Sequence, residues 1–351
     1  MIDYSMPDVW QRLKETKKPI VLYGTGNGAD KIIDEMQRRG IKIDGVFASD
    51  GFVRKRTFRD MPVMSKAEAN EKFGDFFAVI CFASQRPEVL DAFYTLANEH
   101  ETVAPDVPVY GTGLCDREWF IENESKIERV RDLLKDELSK RVFDGVLRYR
   151  YSGDIACLSD SATYPELEYA LLDTDKYEVA ADLGAYDGDT ASELLLLNEN
   201  IKITAFEPDV RSYRKLSDRF AGNQNVTPLN VAAWKEKCIL EFADSQGRGS
   251  SASKGGKTVS VAADSVDNVF AGRKVDYIKY DVEGNEHEAL LGSHETIKRY
   301  SPSLSISLYH RVGDIIDIPL YIRQLYPDYT FFMRRVPYVP AWDLKLYAIK
   351  Q

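Results

Sequence analysis

The sequence twice runs from a short apolar stretch into a glycine-containing turn and then into a helical pattern. The first instance is PIVLYGTGNGADKIIDEMQRRG and the second is EVAADLGAYDGDTASELLLL. A strand followed by such a turn and a helix is typical of a βαβ unit, whose strands are parallel. Further strand and helix patterns follow both instances. We therefore predict an α/β protein built from two Rossmann-like domains.

The length supports a division of the chain, because 351 residues exceed the comfortable size of one hydrophobic core. Between the two starts lies a charged stretch with apolar residues at helical spacing. These residues are Ile127, Val130, Leu133, Leu134 and Leu138. We predict a first domain over residues 1–114, a helical linker over 115–150 and a second domain over 151–351.

The first glycine turn fits the pattern GxGxxA. Gly24, Gly26, Asn27 and Gly28 would let a pyrophosphate approach the helix N-terminus, and Asp50 ends the next strand, where a carboxylate meets a ribose hydroxyl. These residues form a candidate nucleotide site. The same glycines would equally serve close packing of the helix on the sheet.

Composition narrows the classes of partner and compartment. A formal net charge of -10 argues against nucleic acid as a partner. Cys81, Cys115, Cys157 and Cys238 are scattered without CxxC spacing, which favours a reduced, cytoplasmic protein and indicates no zinc site. No apolar run is long enough for a membrane span.

The second half contains strand patterns separated by helical patterns at residues 209–221, 285–299 and 314–326. The strand segments are KITAFEP, VTPLNVAAW, CILEFA, KTVSVAAD, VDYIKYDVEG, SLSISLYH, YTFFMRR and DLKLYAIK. No helix separates the last two segments, which predicts an antiparallel hairpin at one edge of a mostly parallel sheet.

The second glycine turn has the pattern DxGxxxG, which suits an adenosyl-amino-acid ligand without a pyrophosphate. Gly184 would permit close approach of that ligand, and Asp182 would hold its ammonium group directly or through water. An acidic strand end with a purely structural turn is the alternative. Glu207, at the end of the next strand, would accept hydrogen bonds from both ribose hydroxyls.

A family resemblance follows from the order of six segments. DLGAYDGDT, AFEPD, NVAAW, SVDNV, VDYIKYDVEGNEHEALLG and SISLYH together resemble the FkbM family of methyltransferases over about residues 175–350, and IKYDVEGNE is the most specific part. The resemblance implies a class I Rossmann-like fold and methyl transfer from S-adenosylmethionine, typically to a hydroxyl oxygen. Asp187 stands where the family often has a small or aliphatic residue.

The resemblance also implies roles for matching positions. The turn and the next strand end would bind the cofactor through Asp182, Gly184, Ala185, Gly188, Glu207 and Pro208. Asn230 and Ala232, on the strand after Glu207, would lie near the adenine, and Asp281 and Glu283 would lie beside the methyl group. Ser250 and Ser251 would cover the adenosine, face the acceptor, or form a flexible polar loop.

Methyl transfer to a hydroxyl requires alignment and removal of the acceptor proton. Candidate bases are His310, Asp281 and Glu283. Asp281, Glu283 and Glu286 would alternatively gather a divalent cation, but their spacing is not diagnostic and a helix-capping role is equally consistent. We predict no metal.

The predicted function is O-methylation of a glycan, nucleotide sugar or other small polar acceptor. The segments VLYGTGNGA and GVFASD make the first domain similar to those that precede sugar-modifying enzymes. This resemblance would add a nucleotide or nucleotide-sugar site. Residues of the last segments would line the acceptor pocket or, individually, be ordinary surface residues, namely Tyr309, Arg311, Arg334, Arg335 and Tyr338. The alternative is a non-catalytic nucleotide-sensing or interaction protein with a vestigial methyltransferase domain.

Overall fold

The computed structural model describes residues 2–53, 57–243 and 258–350. Ser250 and Ser251 lie outside these residues, as does the side chain of Asp50. The architecture is α/β with two large, mostly parallel sheets, which confirms the predicted fold class.

The first sheet comprises the early buried strands. They are β1 Ile20–Tyr23, β2 Gly45–Phe47, β3 Thr57–Phe58, β4 Met61–Met64, β5 Phe77–Ile80 and β6 Glu101–Val103. Their order is β3-β4-β2-β1-β5-β6, and only the β3–β4 pair is antiparallel. Every residue of β1, β2 and β5 is buried, as expected for strands covered on both faces.

Helices surround this sheet and lead to the second. They are α1 Val9–Glu15, α2 Asn27–Arg38, α3 Lys66–Phe73, α4 Pro87–Glu99, α5 Arg117–Leu133, α6 Glu137–Ser152, α7 Ala156–Asp160 and α8 Glu166–Tyr169.

The stretch predicted as one helical linker is two helices, α5 and α6, because Leu134 is extended and Lys135 donates to the Phe331 carbonyl at 2.9 Å. Asp136 then caps α6 by accepting from the Ser139 amide at 2.7 Å.

The second sheet has seven strands. They are β7 Val179–Leu183, β8 Lys202–Phe206, β9 Val226–Leu229, β13 Tyr277–Tyr280, β14 Ser303–Ser307, β15 Tyr329–Arg335 and β16 Leu344–Lys350. Their order is β15-β16-β14-β13-β7-β8-β9, with β16 antiparallel to both its neighbours and the other pairs parallel. The antiparallel edge hairpin is thereby confirmed.

A separate sheet of three strands follows β9. Its strands are β10 Ala232–Ala233, β11 Cys238–Ala243 and β12 Thr258–Asp264. The segment VTPLNVAAW, predicted as one strand, is therefore divided between two sheets.

The remaining helices connect the second-sheet strands. They are α9 Asp189–Leu197, α10 Val210–Arg219, α11 Val266–Phe270, α12 Glu286–Leu291, α13 His294–Tyr300 and α14 Asp314–Leu325. The predicted helix over 285–299 is divided into α12 and α13 at Gly292. A Cβ on that glycine would lie 2.0 Å from the Trp234 carbonyl oxygen, so the chain passes very close there.

One apolar cluster is shared by both large sheets. It includes Val21 and Phe93 beside the first sheet, Phe143 of α6, and Ile278 and Phe331 of the second sheet. The two halves also pair directly, since Ser84 and Val339 exchange backbone hydrogen bonds of 2.8 and 3.0 Å. The division at residues 114 and 150, and the Rossmann-like nature of the first half, stay predictions. Within the described ranges, no helix combines the length and apolarity needed to cross a membrane.

Candidate functional site

The turn after β7 lies against the end of β13. Gly184 has φ +83°, and a Cβ there would be 1.9 Å from the Asp281 carbonyl oxygen, so a side chain at this position would require the two backbones to separate. Gly188 has φ +88° and begins α9, with the Phe220 ring 2.4 Å from where its Cβ would be. The turn is thus held close to the carboxyl edge of the sheet, where α/β folds bind ligands.

Glu207 joins this turn to the end of β8. One carboxylate oxygen accepts from the Tyr186 amide at 2.7 Å and the other from the Asp209 amide at 2.8 Å. Burial raises the pKa of Glu207 to about 7, although these two hydrogen bonds oppose the shift. Each oxygen keeps a further lone pair, so the ionised carboxylate is suited to accept from two ribose hydroxyls.

Asp182 is fully buried beneath the same turn. The Lys279 ammonium lies 3.3 Å from its Oδ1 and 3.4 Å from the Gly184 carbonyl oxygen. Burial raises the pKa of Asp182, and the Lys279 charge opposes that rise. The other oxygen, Oδ2, has no hydrogen-bond partner among the described residues. A free carboxylate oxygen here fits the ammonium group of an adenosyl-amino-acid cofactor.

Sequence reasoning missed Lys279, although a lysine in the middle of the buried YIKYD strand is a signal for a paired charge.

The residues predicted near the adenine differ in placement. The Asn230 amide donates to the Glu207 and Pro208 carbonyls at 2.8 and 3.1 Å, so it fixes the chain after β8. Ala232 is not on the same strand as predicted, because β9 ends at Leu229 and Ala232 pairs with β12. Ala185 is buried and its amide donates to the Phe206 carbonyl at 2.9 Å.

The unusual Asp187 in the turn has a structural partner. Its carboxylate lies 3.2 Å from the Arg219 guanidinium at the end of α10. This ion pair links the turn to the helix that follows Glu207.

Next to the turn lies a group of four side chains that we call the His310 cluster: His310, Glu286, Asp281 and Glu283. His310 Nδ1 is 2.8 Å from Glu286 Oε1, and its Nε2 is 3.6 Å from Asp281 Oδ1 and 4.0 Å from Glu283 Oε2. His310 and Glu286 are each 1% exposed, whereas the side chain of Glu283 is 64% exposed. The three predicted base candidates therefore converge beside the predicted cofactor turn.

Charge in this cluster favours the imidazolium form of His310. Burial lowers its pKa, but the hydrogen bond with Glu286 and the charges of Glu286, Asp281 and Glu283 outweigh burial and raise the pKa to about 9. Burial also raises the pKa of Asp281, yet Lys279 and His310 lower it overall, so Asp281 is ionised at neutral pH. Glu286 Oε1 accepts from the Val282 amide at 3.0 Å, so Glu286 fixes both the imidazole and the preceding loop.

Asp281, Glu286 and His310 also offer ligand atoms within 4.8 Å of one another, a spacing that could hold a metal ion. Glu286 Oε1 is already engaged with His310 Nδ1 and the Val282 amide, whereas Glu286 Oε2 is buried and has no hydrogen-bond partner among the described residues. A cation bound through Oε1 would have to displace these hydrogen bonds.

The predicted acceptor residues separate into buried and exposed groups. Arg334 and Arg335 are 4% and 0% exposed. Arg334 pairs with Asp136 at 2.7 Å, and Arg335 donates to the Leu158 and Tyr338 carbonyls. The prediction that these two arginines line a pocket is therefore wrong, because their guanidiniums tie α6 and α7 to the edge hairpin.

Tyr309 and Arg311 lie closer to the His310 cluster. Tyr309 donates to Asp281 at 3.2 Å, and Arg311 is exposed.

In the first half, Gly24 has φ +115° and the Phe82 ring lies 2.6 Å from where its Cβ would be. A Cβ on Gly28 would lie 2.5 Å from the Cys81 carbonyl oxygen, so this glycine allows α2 to pack closely on β5. Gly26, at the start of α2 beside Asn27, faces open space. The nucleotide site predicted at this turn stays a prediction.

Comparison with known proteins finds similarity to FkbM methyltransferases both in sequence and in structure. Residues 182–333 match the family model described as the methyltransferase FkbM domain. The solved structure of methyltransferase FkbM from Methylobacillus flagellatus KT is similar with a TM-score of 0.74 and 18% identity, over 95% of this chain and 91% of that chain. No curated protein matches the sequence.

Two further solved structures are more distant. An rRNA methylase from Streptococcus thermophilus has a TM-score of 0.34 and 14% identity, over 50% of this chain and 88% of that chain. Aeropyrum pernix fibrillarin, in complex with natively bound S-adenosyl-L-methionine, has a TM-score of 0.33 and 14% identity, over 52% of this chain and 74% of that chain.

Proposed function

We propose that the chain, whose residues 182–333 match the model of the FkbM methyltransferase domain, is an S-adenosylmethionine-dependent methyltransferase that methylates a hydroxyl oxygen of a small polar acceptor. The acceptor classes that we favour are a glycan and a nucleotide sugar. The observation that carries this proposal is the hydrogen-bonded pair of Glu286 and His310, 2.8 Å apart, beside the turn at Gly184.

The cofactor residues follow from the geometry of the turn. Glu207 would bind the ribose hydroxyls, and Asp182 would bind the ammonium group through its free oxygen. Gly184 would hold the turn close against the end of β13, where the cofactor would bind. When bound, S-adenosylmethionine supplies an electrophilic methyl group on a sulfonium.

His310 would remove the acceptor proton through Nε2, the nitrogen that faces Asp281 and Glu283. Glu286 would hold Nδ1 and so fix the tautomer and the ring orientation. Asp281 would orient the acceptor hydroxyl, together with the Tyr309 hydroxyl that donates to it. A base aligned in this way typically contributes about 10²–10⁴-fold to the rate.

The test has a binding step and a transfer step. Calorimetry with S-adenosylhomocysteine should show binding to the wild type that is lost in Glu207→Ala. Transfer of labelled methyl to a panel of sugars and nucleotide sugars should be lost in His310→Asn, while that variant still binds S-adenosylhomocysteine.

His287→Asn is the matched control, since His287 is exposed and contacts Tyr321 rather than the cluster. Absence of cofactor binding by folded wild type would overturn the proposal and favour the vestigial alternative.

We further propose that transfer needs no metal ion, because Glu286 Oε1 and His310 Nδ1 are bonded to each other and only Glu286 Oε2 is left without a partner among the described residues. Prolonged chelation followed by removal of the chelator should leave the initial rate unchanged. A rate that falls and returns with Mg²⁺ would instead assign Asp281, Glu286 and His310 to a cation.

A second role is proposed for the turn at Gly24, Gly26, Asn27 and Gly28, namely binding of a nucleotide or nucleotide sugar. Open space beside Gly26 at the start of α2 supports it. Docking is the alternative role for this half. The cytoplasmic location and the absence of a nucleic-acid partner stay predictions from composition.

A further inference from the structure

A segment of the first half reaches the His310 cluster. We call residues 106–113, which follow β6, the strap. The Tyr110 amide donates to the His310 carbonyl at 2.9 Å, so the strap is bonded to the backbone of the proposed base. The Tyr110 side chain is 42% exposed, which leaves part of its ring open to a ligand.

The Tyr110 ring lies directly on Gly284, the residue after Glu283. A Cβ on Gly284 would lie 2.9 Å from three atoms of that side chain, and Gly284 has φ +92°. The contact therefore requires glycine at this position. It fixes Tyr110 over the loop that carries Asp281 and Glu283.

Arg311 completes the arrangement. Its guanidinium carbon lies 4.6 Å from the centre of the Tyr110 ring, and its Nε donates to the Gly284 carbonyl. Within the described part of the chain, no carboxylate lies within ion-pair distance of this guanidinium. An exposed arginine that is stacked on an aromatic ring and has terminal nitrogens without an ion pair is suited to bind a phosphate or carboxylate.

The strap is held from both sides. Lys31, in the first turns of α2, donates to the Pro108 and Val109 carbonyls at 2.8 and 3.1 Å. On the other side Arg150 lies 3.2 Å from Asp106 and donates to the Val312 carbonyl at 3.3 Å. The position of Tyr110 is therefore set before any acceptor binds, which lowers the entropic cost of binding.

The negative charge around His310 makes a positive charge at Arg311 important for binding an anionic acceptor. Asp281, Glu283, Glu286 and Asp314 all lie near His310 and would repel an anionic acceptor. Arg311 follows His310 in the chain and offers the positive charge on the Tyr110 side of this cluster.

We propose that Tyr110 and Arg311 form a specificity subsite that holds an anionic group of the acceptor, a phosphate or a carboxylate, beside His310. The inference rests on the proposed methyltransferase function. It assigns part of the acceptor site to the first half of the chain.

The experiment uses the full chain loaded with S-adenosylhomocysteine, titrated calorimetrically with three probes. Glucose 6-phosphate and glucuronate represent the two anion sources, and glucose is the neutral control. At least one anionic sugar should bind tenfold or more tightly than glucose. Arg311→Gln should remove that preference, Arg311→Lys should keep part of it, and Tyr110→Ala should weaken it.

Arg299→Gln is the matched control, because Arg299 also stacks on a tyrosine, Tyr300, at 5.2 Å on α13. It should leave the preference unchanged. Equal binding of the charged and neutral sugars, or a preference that survives Arg311→Gln, would overturn the subsite. Every variant must still bind S-adenosylhomocysteine, which verifies folding. Loss of that binding in the wild type would instead contradict the proposed function itself.

Discussion

His310 is almost inaccessible to solvent, yet its ring lies among the carboxyl groups of Glu286, Asp281 and Glu283. Their charges and the Glu286 hydrogen bond raise its pKa to about 9 despite burial. If the neutral imidazole accepts the proton, log kcat/KM should rise by about one per pH unit from pH 6 to 8 and level off near pH 9. The measurement is a pH profile with the acceptor found in the panel.

If Asp281 rather than His310 is the base, a different pH profile is expected. Its pKa is lowered below the ordinary aspartate value, so a rate that is flat from pH 6 to 8 would identify Asp281 as the base and leave His310 as its positioning partner. Glu286→Gln separates the two cases further. It should shift the rising limb to lower pH only if His310 is the base.

The proposed role of Glu207 predicts how cofactor affinity depends on pH. Burial raises the pKa of Glu207 to about 7, and the proposed ribose binding uses the ionised carboxylate. The affinity for S-adenosylhomocysteine should therefore fall as the pH drops below 7, by up to about tenfold per unit. Calorimetry at pH 5.5, 6.5 and 7.5 measures this slope. The same titration with Glu207→Gln should be weak and flat, and a wild-type affinity that is constant over this range would show that the carboxylate is not needed.

The sequence predicts individual site residues well where their role depends on a position near the end of a strand. Asp182 lies one residue before the end of β7, and Glu207, Asp281 and His310 follow strands, so the parallel sheet brings all four to one edge. Arg334 and Arg335 were misplaced because alternation along a strand does not reveal which charges are neutralised inside. Their partners, such as Asp136, are remote in sequence.

The Asp136 side chain stabilises the start of α6, directly after the interruption that separates α5 from α6. Asp136 accepts from the Ser139 amide at 2.7 Å and lies 2.7 Å from an Arg334 nitrogen. We expect Asp136→Ala to lower the free energy of unfolding by about 2 kcal/mol, about half from the cap and half from the partly exposed ion pair. Urea unfolding measures the change. Glu137→Ala, one residue further on and exposed, should change it by less than about 0.5 kcal/mol.

The stabilisation that Asp136 contributes should decrease as the pH falls. Burial raises the pKa of Asp136, but Arg334 and Ser139 lower it overall. The stabilisation is therefore present above the ordinary aspartate pKa and is lost as the pH falls through the lowered value of the folded protein. The difference between wild type and Asp136→Ala should shrink in acid, and a difference that persists there would assign the effect to packing.

Helices and strands with a regular spacing of apolar residues can be predicted from the sequence, whereas the points at which they are interrupted cannot. The apolar spacing of residues 127–138 continues through Leu134, so nothing local shows that Lys135 bonds to Phe331. Gly292 likewise follows the last residue of α12 and lies very close to the Trp234 carbonyl, a contact that only the tertiary structure supplies.

For the whole molecule, the shared apolar cluster predicts cooperative unfolding. Residues beside both sheets belong to one cluster, and the buried Arg150–Asp106 pair joins the strap to α6. We expect a single calorimetric transition whose van't Hoff and calorimetric enthalpies agree, although a chain of this length commonly unfolds in steps. Two separated transitions, one of them shifted by S-adenosylhomocysteine, would show that the halves are independent domains.

The hydrogen bond between Tyr110 and His310 also bears on how such proteins diversify. A recombination event that exchanged the first 114 residues between related genes would replace the strap together with the first sheet. The part of the acceptor preference that depends on Tyr110 would then be inherited from the donor of the first half, while Arg311, the proposed cofactor turn and the proposed base came from the other parent. Chimeras of that kind would alter acceptor preference without any substitution in the second half.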